Sequence, residues 1–284
     1  MSPDEIAQCA EAAMLIELSS GPKPGNVDRC HDFIDLTFQQ FLVSAVSAYP
    51  VFRKAAAGEC RIGQLLLEAV RSWRFWNISG NTHFGSLVLM IPLCVAAGRC
   101  AENMDRLEEE LAGVLKETNV DDALDFYAAF GLAKARVANV PLFSLKDPSW
   151  HEKLQSHEKI LLDLMNYSRD HDQIAREWSS GYKRSFQIAD RLAEKVKSRG
   201  LGEGVVRTYL EALSEEPDSL VLAKFGAELA KEVSLRAKLA LEDETLESAR
   251  KLDRELLDED VNPGSTADLI AASLLISLLR GLRF

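Results

Sequence analysis

The sequence predicts an all-α protein, a compact multi-helix globular bundle of roughly twelve helices in one domain, residues 1–284. Apolar residues recur at helical spacing along most of the chain, beginning with Ile6, Ala10 and Ala13. The two-residue alternation that is typical of half-buried strands is nearly absent. The sequence contains no fixed-period repeat and no low-complexity segment, which disfavours a helical solenoid.

Proline and glycine interrupt the helical pattern and so place the individual helices. In the first half, the predicted helices cover residues 3–18, 36–57, 62–73, 85–97, 104–116 and 121–137. In the second half, they cover residues 151–167, 172–198, 204–213, 219–241, 244–257 and 265–279. Residues 138–149 form the clearest irregular connection, and their composition predicts an internal loop, not a flexible tether between domains.

Composition and charge exclude several classes of function. A net charge of -11 argues against non-specific binding to DNA or to anionic membranes, although a local basic pocket for a nucleotide is compatible with it. The longest apolar run, residues 87–97, is too short to span a bilayer, and the N-terminus does not resemble a secretory signal. The five cysteines form no C-x-x-C pair, which favours reduced thiols and a cytoplasmic location. The sequence is also compatible with a homo-oligomer.

The first informative loop, residues 21–32, combines prolines, glycines, acids and bases between two predicted helices. Proline fixes φ, and Gly25 would let backbone N–H groups approach a ligand closely, so Lys23 and Asn26 would be held in preset directions. Asp28, Arg29 and the neighbouring His31 extend this set. The alternative is a helix-terminating turn whose charges are merely solvated.

A second loop, residues 79–85, leads into the apolar segment 86–97, which a soluble protein must bury. Asn81, Thr82 and His83, followed by Gly85, should therefore lie at the edge of the core. His83 is a candidate ligand or catalytic group. It could equally cap the helix or satisfy a backbone carbonyl.

The third loop, residues 262–266, precedes another very apolar helix. Helix starts offer unpaired N–H groups, and Gly264 would let a phosphate approach closely. Ser265 and Asp268 have the spacing of a capping box, which is a purely structural alternative for Ser265 but does not account for Asn262. Three polar loops that each open a buried helix predict a shared pocket at one end of the bundle.

The same loops resemble motifs of the triphosphoribosyl-dephospho-CoA synthase family. Lys23-Pro-Gly-Asn-Val-Asp-Arg29 is similar to its K-P-G-x-V-D-R element, and Asn81-Thr-His-Phe-Gly85 is similar to its N-T-H-K-G. Asn262-Pro-Gly-Ser-Thr-Ala-Asp-Leu269 is similar to its N-P-G-G-x-A-D-L. A weaker match over residues 217–226 aligns Asp218 with an acid and Lys224 with a base of the family.

The sequence also departs from the family pattern. Phe84 stands where the family has lysine, Leu220 where it has asparagine, and Ala223 near a histidine. The loop after Arg29 is shorter.

The resemblance implies attack by the ribose 2′-hydroxyl of dephospho-CoA on C1 of the ATP ribose, with loss of adenine. Asp28 or Asp218 would then act as the base or stabilise charge, and His83 with Asn81 would contact adenine. Lys23, Arg29, Lys224 and the helix start at residues 262–266 would hold the phosphates. The full implied set of substrate- and ATP-binding residues is Lys23, Gly25, Asn26, Arg29, His31, Asn81, Thr82, Gly85, Lys224, Asn262, Gly264, Ser265, Thr266 and Asp268. Mg²⁺ is expected on the triphosphate, with Asp32 or Asp35 nearby.

Two other functions stay open at this point. A helical metal-dependent phosphohydrolase could use the His-Asp dipeptides at residues 31–32 and 171–172, because histidine and carboxylate together bind divalent metals. A non-catalytic nucleotide-binding relative could have lost reactive groups at positions 84, 220 and 223. Only the transferase predicts that adenine is released from ATP when an acceptor is present.

Overall fold

The computed structural model describes residues 1–29, 31–33, 36–78, 80–135 and 149–284. Within these ranges the chain forms α-helices and no β-strand, which confirms the all-α prediction. The first eight helices are α1 (Pro3–Ser19), α2 (Phe38–Ala57), α3 (Ile62–Ser72), α4 (Phe84–Arg99), α5 (Leu107–Lys116), α6 (Val120–Ala133), α7 (Trp150–Ser156) and α8 (Leu161–Ser168). The others are α9 (Gln173–Ser180), α10 (Lys183–Arg199), α11 (Leu201–Glu215), α12 (Ser219–Phe225), α13 (Ala227–Leu241), α14 (Glu247–Asp258) and α15 (Gly264–Leu279).

The prediction of roughly twelve helices was too low, because the described part of the chain holds fifteen. Three predicted helices, 151–167, 172–198 and 219–241, are each divided into two. Gly181 (φ 68°) and Gly226 (φ 91°) interrupt the second and third of these, and Glu158 (φ 48°) interrupts the first. A residue at positive φ ends the series of helical backbone hydrogen bonds, whereas the apolar spacing in the sequence continues across it. Of the predicted loop 138–149, only Ser149 lies among the described residues.

The centre of the fold is formed by α4 and α15, which are apolar around most of their circumference and pack against each other and against α1. A helix of this kind is stable only when neighbours cover it on every side. On one flank α10 packs on α15, followed by α11 and α13, and on the other α2, α3 and α5 pack on α4. The buried apolar side chains form one continuous cluster.

The interior of α4 contains Pro92, which has no N–H to donate to the carbonyl of Val88. Two buried side chains take its place: the Trp178 indole N–H donates to Val88 O at 3.2 Å, and the Tyr182 hydroxyl at 3.4 Å. A buried carbonyl left without a donor would be costly, so these contacts fix α9 and the start of α10 against α4.

Across the parts of the chain that the structure describes, none of the helices combines the length and the apolar composition that a bilayer crossing requires.

Candidate active site

The three polar loops meet at one large cavity with a volume of about 1370 Å³. Its wall contains the following residues that the sequence singled out: Lys23, Asn26, Asn81, Thr82, His83, Gly85, Lys224, Asn262, Gly264, Ser265 and Asp268. The helix starts that the sequence predicts to converge therefore do converge.

Other predicted site residues are not part of the cavity lining: Gly25, Asp28, Arg29, His31, Asp32, Asp218 and Thr266. Asp32 accepts a hydrogen bond from the Phe38 N–H at 2.6 Å, so its carboxylate is engaged at the start of α2. Asp35, the other predicted magnesium ligand, lies outside the described residues. The chemical roles of these residues stay predictions.

The first loop places a buried ion pair in the cavity wall. Lys23 Nζ lies 2.6 Å from Glu17 Oε1 on α1, and both side chains are buried. Asn26 Nδ2 donates to the Tyr209 hydroxyl oxygen at 2.5 Å, which ties the loop to α11. Because Glu17 balances its charge, Lys23 adds less positive potential to the cavity than a free lysine would.

Behind this loop, Asp28, His31 and Asp253 bring three potential metal-ligand atoms within 4.8 Å of one another. His31 Nδ1 lies 3.3 Å from Asp28 Oδ1 and 3.2 Å from Asp253 Oδ2, but it makes a hydrogen bond to neither. The other oxygen of Asp253 accepts the Gly25 N–H at 2.9 Å. Burial, reinforced by the charge of Asp28, raises the pKa of Asp253 to about 6. The Nδ1 atom thus lies 3.2 to 3.3 Å from each of the two oxygens, which is the separation between neighbouring ligand atoms around one small divalent cation.

The second loop buries the His83 imidazole directly before the start of α4. The Asn81 Oδ1 accepts the N–H of Phe84 at 3.0 Å, so Asn81 caps the helix and His83 makes no side-chain cap. The Thr82 hydroxyl donates to Ser44 Oγ on α2 at 2.9 Å, and Ser44 Oγ lies 3.1 Å from His83 Nδ1. Burial, helped by the charge of Lys23, lowers the pKa of His83 to about 3. The imidazole is therefore neutral at physiological pH.

The third loop is organised by Asp218, which lies directly before α12. Its Oδ1 accepts the N–H groups of Leu220 and Val221 at 2.8 and 3.1 Å. Its Oδ2 accepts the N–H and the hydroxyl of Thr266 at 2.7 and 2.8 Å. Burial raises the pKa of Asp218, while these hydrogen bonds oppose that shift.

The capping box that was the structural alternative for Ser265 and Asp268 is not formed. No side-chain hydrogen bond caps α15 from its own N-cap, and Ser265 Oγ instead accepts the Ser219 hydroxyl at 2.9 Å. The adjacent Asn262 Oδ1 is buried and has no hydrogen-bond partner although it lies at the cavity wall. The loop thus offers a free acceptor that capping does not use.

Asp268 turns toward α4 instead. The Ser86 hydroxyl donates to Asp268 Oδ1 at 2.5 Å, and the carboxyl group lies directly over Gly85. Burial, together with the charges of Glu17 and Asp218, raises the pKa of Asp268 to about 8. The cavity wall therefore contains a carboxylic acid that keeps its proton at neutral pH.

The His-Asp dipeptides do not join in one metal centre. Among the described residues, the group with metal-ligand spacing contains His31 but neither Asp32 nor the second dipeptide. His171 and Asp172 do line the cavity, but the Asp172 carboxylate caps α9 through the Ala175 N–H at 2.9 Å. The arrangement that would favour a phosphohydrolase is thus not formed.

The three residues that depart from the family pattern all lie on the cavity wall: Phe84, Leu220 and Ala223. Phe84 packs with Phe126 and Phe130 at ring-centroid distances of 5.8 and 5.7 Å. At these positions the family motifs have polar side chains, whereas this protein presents apolar side chains to the cavity.

Sequence reasoning missed three residues of this site, Glu17, Ser44 and Asp253. Glu17 and Asp253 each lie on a helix face whose other members are buried, as Met14 and Leu256 show. An acid on an apolar face is a signal that could have found both. Ser44 carries no such signal, because a small hydroxyl is common on the buried side of a helix.

The fold and the site together define an all-helical enzyme in which polar helix starts surround one ligand cavity. The chain belongs to the ATP:dephospho-CoA triphosphoribosyl transferase family, whose sequence profile matches residues 3–283. It is therefore a transferase of the triphosphoribosyl-dephospho-CoA synthase type.

Two relatives illustrate the similarity. A Streptococcus equi subsp. equi protein assigned as a 2-(5''-triphosphoribosyl)-3'-dephosphocoenzyme-A synthase is 23% identical over 304 residues, covering 97% of each chain. The crystal structure of an Archaeoglobus fulgidus protein assigned as a triphosphoribosyl-dephospho-CoA synthase superposes with a TM-score of 0.71 at 31% identity. That match covers 85% of this chain and 100% of the other.

Proposed function

We propose that this protein transfers the triphosphoribosyl group of ATP to the ribose 2′-hydroxyl of 3′-dephospho-CoA and releases adenine. The family match over residues 3–283 carries the proposal, and the convergence of the three motif loops on one cavity supports it. In this reaction the bond between ribose C1 and adenine breaks and a bond from the acceptor oxygen to that carbon forms. The hydroxyl proton must leave, and the departing adenine must gain a proton or a hydrogen bond.

The cavity wall supplies groups for both ends of the reaction. Asp268 holds a proton at neutral pH and is our candidate donor to the departing adenine, with His83 as a hydrogen-bonding partner of the base. Glu17 lies on the wall and is a candidate base. Asp28 and Asp218, the two acids that the sequence suggested for this role, are not part of the cavity lining but are kept as candidates. Of these three, Asp218 would have to give up helix-capping hydrogen bonds to act.

We propose Mg²⁺ as the cofactor, entering with ATP. Lys23 and Lys224 already pair with Glu17 and Asp260, so these two lysines leave much of the charge of a triphosphate unbalanced. A divalent cation held by the phosphate oxygens would neutralise it. A second divalent cation would fit Asp28, His31 and Asp253, where it would tie the first loop to α14.

The deciding experiment incubates the purified protein with ATP, Mg²⁺ and dephospho-CoA and measures free adenine and the coupled product by mass spectrometry. The proposal expects both, in equal amounts, and neither without the acceptor. CoA, whose 3′-phosphate lies beside the attacking hydroxyl, is the matched control acceptor and should react poorly. ATP binding without adenine release would instead support a non-catalytic relative, as the apolar Phe84, Leu220 and Ala223 on the wall could produce.

A further inference from the structure

Thr82, Ser44 and His83 form a buried chain of polar groups between α2 and the start of α4. Their exposed fractions are 8%, 1% and 3%. The Thr82 hydroxyl donates to Ser44 Oγ at 2.9 Å, and Ser44 Oγ lies 3.1 Å from His83 Nδ1. Water has almost no access to these atoms, so each proton must be accounted for within the chain of groups.

The proton count in this chain of groups favours one tautomer of His83. A serine hydroxyl has one proton to donate, and Ser44 already receives the proton of Thr82. The remaining contact of Ser44 is with His83 Nδ1. If Ser44 also accepted a proton from this nitrogen, its own buried hydroxyl proton would have no acceptor among the described residues, so the favoured arrangement has Ser44 donating to Nδ1. Nδ1 is then the acceptor, and the single proton of the neutral imidazole lies on Nε2.

The Nε2 atom of His83 is buried and has no hydrogen-bond partner, and His83 lines the cavity. The imidazole and the Phe41 ring pack nearly perpendicular to each other, with centroids 4.7 Å apart, which restricts rotation of the imidazole. A buried N–H without an acceptor costs free energy unless a ligand supplies one. The site is therefore prepared for a ligand atom that accepts a hydrogen bond.

We propose that Ser44 is a positioning residue that holds His83 in the Nε2–H tautomer, so that the cavity presents a neutral N–H donor to a ring nitrogen of the bound purine. The assignment of the ligand as a purine rests on the proposed function, whereas the tautomer does not. Adenine N3 and N7 are acceptors of the required kind. A neutral donor recognises them and adds no positive charge beside Lys23, which also lines the cavity.

The tautomer is tested by ¹⁵N NMR of the imidazole nitrogens in the protein without ligand, with His83→Gln used to assign the His83 signals. The proposal expects the protonated-nitrogen shift at Nε2 and the bare-nitrogen shift at Nδ1. Ser44→Ala should give a mixture of both tautomers. Ser47→Ala is the matched control, since Ser47 lies on the same helix and accepts the Trp76 indole N–H. A proton on Nδ1 in the parent protein overturns the proposal.

The purine contact is tested by calorimetric binding of ATP, 3-deaza-ATP and 7-deaza-ATP, each of which retains the triphosphate. We expect about tenfold weaker binding of the analogue that lacks the contacted nitrogen, the size of one lost hydrogen bond. Ser44→Ala should reduce this discrimination in proportion to the lost Nε2–H tautomer, while Ser47→Ala should keep it in full. Equal binding of all three nucleotides by the parent protein refutes the contact. Discrimination without adenine release would support the contact between His83 and the purine and refute the proposed reaction instead.

Discussion

Asp218 Oδ2 accepts two hydrogen bonds from Thr266, one from its backbone N–H at 2.7 Å and one from its hydroxyl at 2.8 Å. The second oxygen of the same carboxylate accepts the N–H groups of the second and third residues of α12. One buried side chain therefore fixes the starts of two helices that border the cavity. This contact network explains why an acid stands at this position whether or not it takes part in the chemistry.

We predict that Asp218→Ala lowers the free energy of unfolding by about 3 kcal/mol or more, because several buried N–H groups lose their acceptor. Urea denaturation followed by circular dichroism measures this change. Asp170→Ala, at a side chain that is 80% exposed, is the control and should have almost no effect. Full stability of Asp218→Ala combined with loss of turnover would show that the carboxylate acts mainly in the chemistry.

The raised pKa of Asp268 predicts a pH-dependent stability. Between the ordinary value of 3.8 and the folded-state value of about 8, the folded protein keeps a proton that the unfolded chain has released. Its stability therefore falls as pH rises through this window, by up to about 1.4 kcal/mol per pH unit. Asp268→Asn should flatten the dependence between pH 5 and 8, roughly the span of that window. Identical slopes in the two proteins would contradict a retained proton.

Gly85 is predicted to tolerate no side chain. A Cβ there would lie 2.7 Å from Asp268 Cγ, so Gly85→Ala must push α4 away from α15 or displace the carboxyl group. We expect a loss of about 2 kcal/mol in unfolding free energy and a drop in adenine release. Gly113→Ala in α5 is the matched control: its Cβ meets no atom within 4 Å, and alanine should slightly stabilise the helix. Equal effects of the two changes would refute the close packing.

The group formed by Asp28, His31 and Asp253 is predicted to bind a divalent cation in the absence of nucleotide. Titration with Mn²⁺ followed by electron paramagnetic resonance measures this directly. Asp253→Asn should weaken binding by at least about tenfold, because it removes a charged ligand and alters the partner of the Gly25 N–H. Asp258→Asn makes the same charge change on an exposed part of the same helix and should leave binding unaltered. If the parent protein binds no Mn²⁺, the prediction is wrong and the three side chains form an ordinary ion-pair cluster.

The all-α fold could be predicted because apolar residues at helical spacing are present in nearly every element. The subdivision of three helices could not, since Gly181 and Gly226 interrupt the backbone while the apolar pattern runs past them. Glycine within a helical pattern is often tolerated, so neither position signals a break by itself. Whether a glycine ends a helix or is tolerated within it depends on packing that the local sequence does not encode.

The convergence of the loops was predictable because each one opens a helix that has to be buried. The partners of the loop residues were not predictable. Asp253 meets Gly25 across 228 positions of sequence, and Ser44 reaches His83 across 39. Such pairs depend on the three-dimensional path of the chain and have no local motif. Sequence therefore located the cavity and left the distribution of protons and charges around it to the structure.

The polar anchors and the ligand-facing positions of this site alternate along the same short segments. Asp218 and Thr266 fix the starts of α12 and α15 and are not part of the cavity lining, whereas Leu220, Ala223 and Gly264 line the cavity. Mutation can therefore exchange the surface presented to a substrate while the scaffold that supports it is conserved. Divergence of substrate preference among homologues would, on this basis, require few replacements and no change in architecture.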